Sequence, residues 1–480
     1  MSITAHIKTD PGRTPLPLEL SRARIVILGA GPTGLGAANH LRELGLSNFV
    51  LYEKESHAGG LASSFVDPSG FTWDIGGHVQ FSHYKYFDDL MDILLGEEWL
   101  YHERESWVWM RDRFIPYPFQ NNIRRLPRDE MLECLRGLIR VAGSQNHAPL
   151  ANFEEWIRAS FGEGIARHFL MPYNFKVWAY PPREMAYQWV GERVARVDLE
   201  RIIVNILEER DDVSWGPNNT FRYPLRGGTG ETWRRLARRF PPEQIHFAKT
   251  VSSLDTRRKF VHFADGSSAG YDLLISTLPL DVLVGLSDLE ALKPAVQRLR
   301  YSTVHVVGIG LAGTPPPPLK TKCWMYFPED ISPFYRGTVF SNYSPNNVPR
   351  PGENWSLMLE VSQSPAKPVN KETLVESVIQ GLINTKLIPS RQDIVSTWHF
   401  IAPRGYPTPS LERDSVLNAV LPALEDVHIF SRGRFGAWKY EVSNQDHSLM
   451  QGVELIDRLA GRGEEDTLRR PDFVNTRPKA

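Results

Sequence analysis

Two short apolar runs near the start of the chain flank a stretch with helical spacing. The first run covers residues 24–28, an Ala- and Leu-rich stretch follows from residue 35, and the second run covers residues 48–52. Continuous apolar runs are typical of strands buried in a parallel sheet, and a helix usually connects such strands. The pattern therefore predicts a βαβ unit over about 24–53 and a doubly wound α/β domain around it.

The spacing of apolar residues changes twice further along the chain. Helical spacing dominates between about 120 and 210, in the segments 129–141, 152–161 and 199–209. Alternating or β-branched runs then return in several segments, at 257–264, 271–278, 302–310, 335–343 and 355–362. Such alternation is typical of an antiparallel sheet. We therefore predict a helical insertion followed by an antiparallel sheet.

The turn after the first apolar run has the spacing Gly29-x-Gly31-x-x-Gly34. Glycines at these positions allow a tight turn, close approach of the backbone to a pyrophosphate, and close packing of helix on strand. Glu53 follows the second run, 19 residues after Gly34, where an acid would hold ribose hydroxyls. The turn, its context and the acid together predict a dinucleotide site.

A second set of glycines, Gly308-x-Gly310-x-x-Gly313, repeats this spacing after another apolar run. Thr314 and four prolines, 315–318, follow it. Proline cannot continue into a helix interior, so no helix N-terminus would face a phosphate here. We predict a strand that ends in a flexible loop, and no second dinucleotide site.

Composition narrows the class of protein. A length of 480 residues favours two or three domains, and a formal net charge of −1 gives no general reason to bind nucleic acid or anionic membrane. The two cysteines, Cys134 and Cys323, exclude a disulfide framework and a Cys-based zinc cluster, and they favour a reducing compartment. Residues 1–22 lack the apolar core of a secretory signal, and no apolar run is long enough to span a bilayer. We expect a soluble, cytoplasmic protein without a bound metal.

A second glycine turn, Gly59-Gly60, follows the ribose acid, with Ser64 four residues later. Nicotinamide-binding domains do not need this turn. The stretch resembles one in flavin enzymes related to glutathione reductase and amine oxidase, which implies FAD as the cofactor.

Seven polar–aromatic clusters are hard to explain by packing alone. They lie at 116–122, 172–178, 215–218, 323–328, 333–336, 405–409 and 438–447. Aromatic rings stack on bases and sugars, while arginine forks and tyrosine hydroxyls bind phosphates. Core packing with turns is the simpler explanation for any one cluster, but seven in one FAD protein favour a substrate site.

Three segments make the resemblance specific: Gly76-Gly77-His78-Val79-x-Phe81-Ser82-His83-Tyr84, Asn174-Phe175-Lys176-Val177-Trp178, and Tyr440-Glu441-Val442-x-Asn444-Gln445-Asp446-His447-Ser448. With the glycine motifs, they resemble the UDP-galactopyranose mutases of the eukaryotic type, over residues 24–460. Lys439 departs from the pattern, because an arginine is expected before Tyr440.

The resemblance implies an α/β fold with a Rossmann-type FAD-binding domain, a helical insertion domain and an antiparallel β-sheet domain. The FAD-binding domain is expected at 20–95, 220–285 and 415–462. The helical domain is expected at 120–219, for substrate binding or oligomerisation, and the sheet domain at 96–119 and 286–414. The segment 1–19 is expected to be a flexible terminus, and the charge pattern after Gly461 predicts a second one at 463–480.

The resemblance further implies an isomerase that interconverts UDP-galactopyranose and UDP-galactofuranose by ring contraction. In this family, N5 of reduced FAD attacks the anomeric carbon, and the ring opens through a flavin–sugar iminium. NADPH or NADH is the expected reductant, bound in the UDP-sugar cleft. The helical faces in 120–210 are compatible with either a core or a homo-oligomer interface.

Site residues follow from the same resemblance, position by position. For FAD they are Gly29, Gly31 and Gly34 at the pyrophosphate, Glu53 at the ribose, and Gly60, Gly77, His78, Arg434 and Gln445 elsewhere around the cofactor. For the diphosphate they are Arg193, Arg336, Tyr326, Tyr343, Tyr406 and Tyr440. For uridine they are Tyr117, Gln120, Asn174 and Trp178, and for the galactose or phosphates Asn218 and Asn444.

Arg193, Arg336 and His78 are the expected catalytic residues. Arg193 in isolation would more simply form a surface ion pair, and His78 would pack as a hydrogen-bonded core histidine. The resemblance suggests that the backbone carbonyl of His78, rather than its side chain, responds to the flavin. The proline-rich stretch 315–322 suggests a hinge for a flap carrying Trp324 and Tyr326.

Two other functions compete with this one. An FAD oxidoreductase of the amine-oxidase or protoporphyrinogen-oxidase kind shares the glycine signatures but needs an apolar substrate pocket. An escort protein like the GDP-dissociation inhibitors keeps the fold without flavin, and Glu53 with Gly59-Gly60 argues against it.

Overall fold

The computed structural model describes residues 18–144, 149–195, 197–213 and 219–477. The strands in these ranges are β1 (Ile25–Leu28), β2 (Phe49–Tyr52), β3 (Ser64–Val66), β4 (Thr72–Asp74), β5 (Trp99–Glu103), β6 (Ser106–Met110), β7 (Arg113–Pro116), β8 (Thr220–Pro224), β9 (Ile245–His246), β10 (Val251–Asp255), β11 (Phe260–Phe263), β12 (Ser268–Gly270), β13 (Leu273–Ser276), β14 (Arg300–Ala312), β15 (Trp324–Tyr326), β16 (Arg336–Val339), β17 (Asn354–Gln363), β18 (Ile394–Thr408) and β19 (Ile429–Ser431).

The helices are α1 (Leu18–Arg22), α2 (Pro32–Glu43), α3 (Lys85–Leu95), α4 (Arg128–Ala142), α5 (Phe153–Ile165), α6 (Met171–Trp178), α7 (Leu199–Leu207), α8 (Gly230–Ala237), α9 (Leu280–Gly285), α10 (Lys293–Val296), α11 (Leu374–Asn384), α12 (Arg413–Glu425), α13 (Gln445–Leu459), α14 (Asp466–Arg469) and α15 (Pro471–Asn475). No helix within the described ranges is long and apolar enough to cross a membrane.

A five-stranded parallel sheet holds the first glycine turn. Its strand order is β19-β13-β1-β2-β9, so β1 lies at the centre and is buried along its whole length. The helices α2 and α13 cross at two glycines, Gly36 and Gly452, where a side chain would not fit. A Cβ at Gly36 would lie 2.6 Å from the Leu449 carbonyl oxygen, and one at Gly452 would lie 2.2 Å from the Thr33 carbonyl oxygen. This close crossing holds the first half of α13 against the start of α2, next to the first glycine turn.

A seven-stranded sheet forms the second layer, in the order β18-β14-β17-β16-β15-β6-β7. Its pairs are antiparallel except β15 with β6. Between β7 and β8, helices α4 to α7 pack around a separate apolar core that includes Cys134, Ile157 and Phe169. The predicted α/β class, with a parallel sheet, a helical insertion and an antiparallel sheet, is confirmed.

The second glycine motif lies at the end of a strand, with Gly308 and Gly310 inside the strand and Gly313 just after it. The strand β14 runs through Gly308 and Gly310 to residue 312. A Cβ at Gly308 would lie 2.6 Å from the Trp73 ring, and one at Gly310 would lie 2.6 Å from the Phe71 ring. These glycines therefore make room for two aromatic rings that stack on the sheet.

The expected flap is also replaced by a strand. Trp324 and Tyr326 belong to β15, which is hydrogen-bonded to β6 on one side and β16 on the other. The Lys322 ammonium lies 4.1 Å from the centre of the Trp107 ring and pairs with Glu105. Sheet pairing on both edges fixes this segment, so the structure argues against a flap hinged at 315–322.

The charged segment after residue 462 folds back onto the core. It forms α14 and α15, and Glu465, Thr467 and Asn475 are buried in it. The charge pattern predicted a flexible terminus from 463, but these charges have partners in the fold. The segment 1–17 lies outside the described residues.

Candidate active site

The first glycine turn forms a cradle in which each glycine has a different role. Gly29 has a φ of +102°, and a Cβ at Gly34 would lie 1.9 Å from the Gly29 carbonyl oxygen. Gly31 is different, because the nearest atoms to its Cβ would be the Gly60 Cα at 3.9 Å and the Gly59 oxygen at 4.0 Å. No contact with the described residues requires glycine at 31. The space in front of it, at the N-terminus of α2, fits a pyrophosphate.

Glu53 lies at the end of β2, beside this cradle, and is 6% exposed. One carboxylate oxygen accepts a hydrogen bond from the Ala30 amide at 2.7 Å, and the other accepts one from the Glu55 amide at 2.9 Å. A carboxylate has about four acceptor positions, so two remain for ribose hydroxyls. The residues of this region therefore fit the adenosine half of FAD.

A cavity of about 320 Å³ lies between the loop 77–81, the helical insertion, the seven-stranded sheet and the N-terminus of α13. Most of the predicted substrate residues share its wall. The predicted site residues on that wall are Gly77, His78, Tyr117, Gln120, Asn174, Trp178, Arg193, Tyr326, Arg336, Tyr406, Tyr440, Asn444 and Gln445.

Arg193 faces this cavity with part of its guanidinium unused. Its Nη2 donates to the Glu441 carbonyl at 2.7 Å, and its Cζ lies 5.3 Å from the centre of the Tyr440 ring. Its Nη1 is shielded from solvent and has no acceptor among the described residues. A shielded cationic donor at a cavity wall suits an anionic ligand.

Arg336 is held by a buried carboxylate that the sequence reasoning missed. Its Nε and Nη2 each donate to Glu360 at 2.7 Å, and Glu360 is only 2% exposed. The same carboxylate accepts hydrogen bonds from the Tyr335 hydroxyl at 2.7 Å and the Gly77 amide at 3.1 Å. Glu360 thus joins the arginine to the loop 76–78. A single acid within the apolar run 355–362 is the signal that could have identified it.

The ion pair determines the charge state of both partners. Burial by itself would lower the pKa of Arg336, but the Glu360 carboxylate raises it well above its usual value. Burial would raise the pKa of Glu360, but Arg336 lowers it. Both groups therefore stay charged at neutral pH.

Four of the predicted tyrosines surround the space between the two arginines. Tyr117 and Tyr326 have ring centres 5.1 Å apart, and Tyr406 and Tyr440 have ring centres 5.7 Å apart. Burial raises the pKa of Tyr117, Tyr326 and Tyr406, so these hydroxyls remain protonated and can donate hydrogen bonds.

Tyr343 lies behind the cavity wall rather than on it. It is fully buried, with its ring centre 5.4 Å from that of Phe221 and 5.3 Å from that of Tyr223. Its hydroxyl has no hydrogen-bond partner among the described residues. Asn218, predicted near the galactose or phosphates, lies outside the described residues.

Two of the predicted uridine residues, Asn174 and Trp178, lie in α6, which follows a π-helical turn, Ala166–Leu170. The other two, Tyr117 and Gln120, lie at the short turn Phe119–Asn121 and just before it. The Asn174 amide nitrogen donates to the Leu170 carbonyl at 2.8 Å, and the Gln120 amide nitrogen donates to the Ala195 carbonyl at 2.8 Å. Each amide oxygen is thereby oriented as an acceptor. Trp178 packs edge-on against Tyr440, with ring centres 4.7 Å apart.

The loop 76–78 lies over the edge of the cavity. A Cβ at Gly77 would lie 2.8 Å from the Trp324 indole nitrogen, so the indole covers this glycine. The His78 Nε2 bonds to the Ile75 carbonyl at 2.8 Å, and the His78 carbonyl accepts from the Thr229 hydroxyl at 3.1 Å. Burial, with Arg434 nearby, lowers the pKa of His78 to about 4. The imidazole is neutral at pH 7 and serves to position the loop.

The N-terminus of α13 supplies the last predicted residues. Asn444 caps this helix, and the Gln445 side-chain oxygen accepts from the Trp233 indole at 2.8 Å. Arg434 lies beneath the wall, donating to the Gly405 carbonyl at 2.9 Å and to the Ser443 hydroxyl at 2.8 Å.

Arg104 lines the cavity without having been predicted. Its Cζ lies 5.9 Å from the Tyr117 ring and 5.9 Å from the Trp324 ring. In the sequence it stands between Glu103 and Glu105, a charge pattern typical of a solvated surface. The described residues contain no group of His, Cys, Asp and Glu side chains arranged to hold a metal ion.

Comparisons with known proteins match this geometry. The family of flavin containing amine oxidoreductases matches residues 32–416. A crystal structure of reduced UDP-galactopyranose mutase is 51% identical, covers 95% of this chain and 98% of its own, and superposes with a TM-score of 0.93.

More distant structures share the fold alone. A protein described as a protoporphyrinogen oxidase from Exiguobacterium sp. 255-15 is 17% identical, with 92% of this chain and 99% of that chain covered and a TM-score of 0.71. Putrescine oxidase bound to putrescine is 15% identical, with the same coverage of both chains and a TM-score of 0.65.

Proposed function

Because this chain belongs to the flavin-containing amine oxidoreductase family and is 51% identical to a UDP-galactopyranose mutase over 95% of its length, we propose that it catalyses the same isomerisation. The protein interconverts UDP-galactopyranose and UDP-galactofuranose, and FAD is its cofactor. We extend the proposal to the eukaryotic type of this enzyme, to NADPH or NADH as the reductant, and to a cytoplasmic site, which two unpaired cysteines fit.

One observation carries the proposal. The two predicted arginines and four of the predicted tyrosines face a single cavity beside the loop 76–78, and Arg193 offers an unused cationic donor there. An oxidase for apolar amines gains nothing from such donors, and unpaired buried donors are costly without a ligand that accepts from them. A diphosphate supplies acceptors for both arginines.

The residues of the chain have separable roles in the reaction. Reduced FAD, when bound, supplies the nucleophile for the anomeric carbon. Arg193 and Arg336 hold the UDP group while it is detached from the sugar, so that it can return to the same carbon. The tyrosine hydroxyls donate to its phosphate oxygens, and the aromatic wall with Trp178 and Trp324 limits access of water, which would hydrolyse the sugar.

A product assay tests the proposal. The purified yellow protein is incubated with UDP-galactofuranose, with and without dithionite or NADPH, and the UDP-sugars are separated by chromatography. We expect UDP-galactopyranose only under reducing conditions. Lack of conversion by protein that holds reducible FAD would refute the proposal and favour an amine-oxidase-like oxidoreductase.

A further inference from the structure

The Glu441 carbonyl, which orients Arg193, has a second donor from a distant part of the chain. The Asn475 side-chain amide donates to the same oxygen at 3.0 Å, in addition to the Arg193 bond of 2.7 Å. Asn475 lies in α15, which contacts both the turn Tyr440–Val442 and the turn Gly191–Arg193. One carbonyl oxygen therefore links the 465–477 segment to the arginine of the cavity.

The side chain of Glu441 is held as firmly as its carbonyl. Its two carboxylate oxygens accept from the two terminal nitrogens of Arg413, at 2.8 and 2.9 Å. Both partners are buried, so the pair is shielded from solvent and rigid. The carboxylate is held from α12 and the carbonyl from α15, which leaves the peptide group of Glu441 little freedom to turn.

The 465–477 segment is itself anchored along its length. Both carboxylate oxygens of Glu454 accept from Thr467 at 2.8 Å, and the Lys439 ammonium donates to the Leu468 carbonyl at 2.9 Å. Glu465 pairs with Arg432, and both side chains are fully buried. Asn475 is thus presented from a packed element.

We propose that Asn475 is a positioning residue for Arg193, and that the 465–477 segment thereby forms part of the diphosphate site. Two hydrogen bonds on one carbonyl fix its direction better than one, and the Arg193 fork follows that direction. The Nη1 that has no acceptor among the described residues is then aimed at the ligand. This inference rests on the proposed function, because it takes a nucleoside diphosphate as the ligand of Arg193.

UDP binding tests the inference without any turnover. The full-length FAD-bound protein is titrated with UDP by calorimetry, as wild type, N475L, R193A and the double variant. Leucine keeps the size of Asn475 but removes its donor. Loss of one such hydrogen bond predicts a rise of about tenfold in the Kd of N475L for UDP, with an unchanged flavin spectrum.

The double variant separates positioning from general destabilisation. If Asn475 acts through Arg193, N475L has no further effect on the Kd in the R193A background. An unchanged Kd in N475L, or an equal loss in both backgrounds, would overturn the inference. N475A, which also removes the donor, replaces N475L if the latter does not fold.

Asn48 provides a matched control, since its amide also donates to backbone carbonyls, those of Leu20 and Ala23. N48L should bind UDP as the wild type does, and a loss equal to that of N475L would refute a specific role for Asn475. A wild-type protein that does not bind UDP would instead refute the proposed function, so the two failures are distinguishable.

Discussion

Replacing Gly31 by alanine should weaken FAD binding by about 30-fold without harming the fold. Gly31 has extended backbone angles, φ −79° and ψ −177°, which alanine adopts without strain. Its added methyl would meet only ordinary contacts, the nearest at 3.9 Å. Gly34 is the reverse case, because its methyl would lie 1.9 Å from the Gly29 oxygen and the turn could not close.

The substitution G31A should change the free energy of folding and the free energy of FAD binding in opposite directions and by different amounts. For folding, G31A gains about 0.4–1 kcal/mol, because alanine restricts the unfolded chain. For FAD, the methyl keeps the pyrophosphate from the helix N-terminus, and one lost charge-assisted hydrogen bond costs about 2 kcal/mol. That energy corresponds to about a 30-fold weaker Kd. G34A should instead lose stability by overpacking, typically about 1–3 kcal/mol or more.

The assay uses the apoprotein of each variant. Its unfolding by urea gives the stability, and a titration with FAD followed by flavin fluorescence gives the Kd. We expect the G31A apoprotein to be slightly more stable than the wild type, by about 0.4–1 kcal/mol, and its Kd for FAD to be about 30-fold higher. FAD affinity equal to wild type in G31A would show that the pyrophosphate lies elsewhere, and a large loss of apoprotein stability would show that Gly31 serves the fold.

Three further predictions follow from the packing and charges. In urea unfolding, G308A should lose about 1–3 kcal/mol of unfolding free energy, because its methyl would overlap a tryptophan ring. G285A is the control and should be neutral, since no contact lies within 4 Å of its methyl. Equal losses in the two variants would refute the packing explanation. Burial lowers the pKa of Lys176 to about 7 in the folded protein. Between about pH 7 and 10.5 the unfolded state therefore binds more protons than the folded state, so the free energy of unfolding of the wild type should rise with pH. In urea titrations K176M should lack that rise. R336K keeps the charge but loses the bidentate contact with the Glu360 carboxylate, so its Kd for UDP, measured by calorimetry, should rise about tenfold or more. R350K changes an arginine in an exposed ion pair, and its Kd for UDP should equal that of the wild type.

The amino-acid sequence by itself determined the features whose partners lie close along the chain. The turn from Gly29 to Gly34 is one, because the carbonyl that excludes a side chain at Gly34 belongs to the same turn. The central strand β1 is another, since its continuous apolar run by itself predicts a strand that is buried on both faces. Resemblance of short motifs also selected most of the cavity wall, from Tyr117 to Asn444.

Only the tertiary structure decided the features whose partners are distant in sequence. The glycine at 308 faces a tryptophan more than two hundred residues earlier, so its spacing alone resembled a phosphate loop. Glu360 acquires its role from Arg336 on the neighbouring strand, and Tyr343 lies off the cavity wall because its ring packs against Phe221 and Tyr223. The charges after residue 462 resembled a solvated tail, because a charge pattern does not show whether the folded chain provides partners of opposite charge. Burial and pairing are properties of the assembled chain, and they decide whether a charged or small residue serves solvent, packing or a ligand.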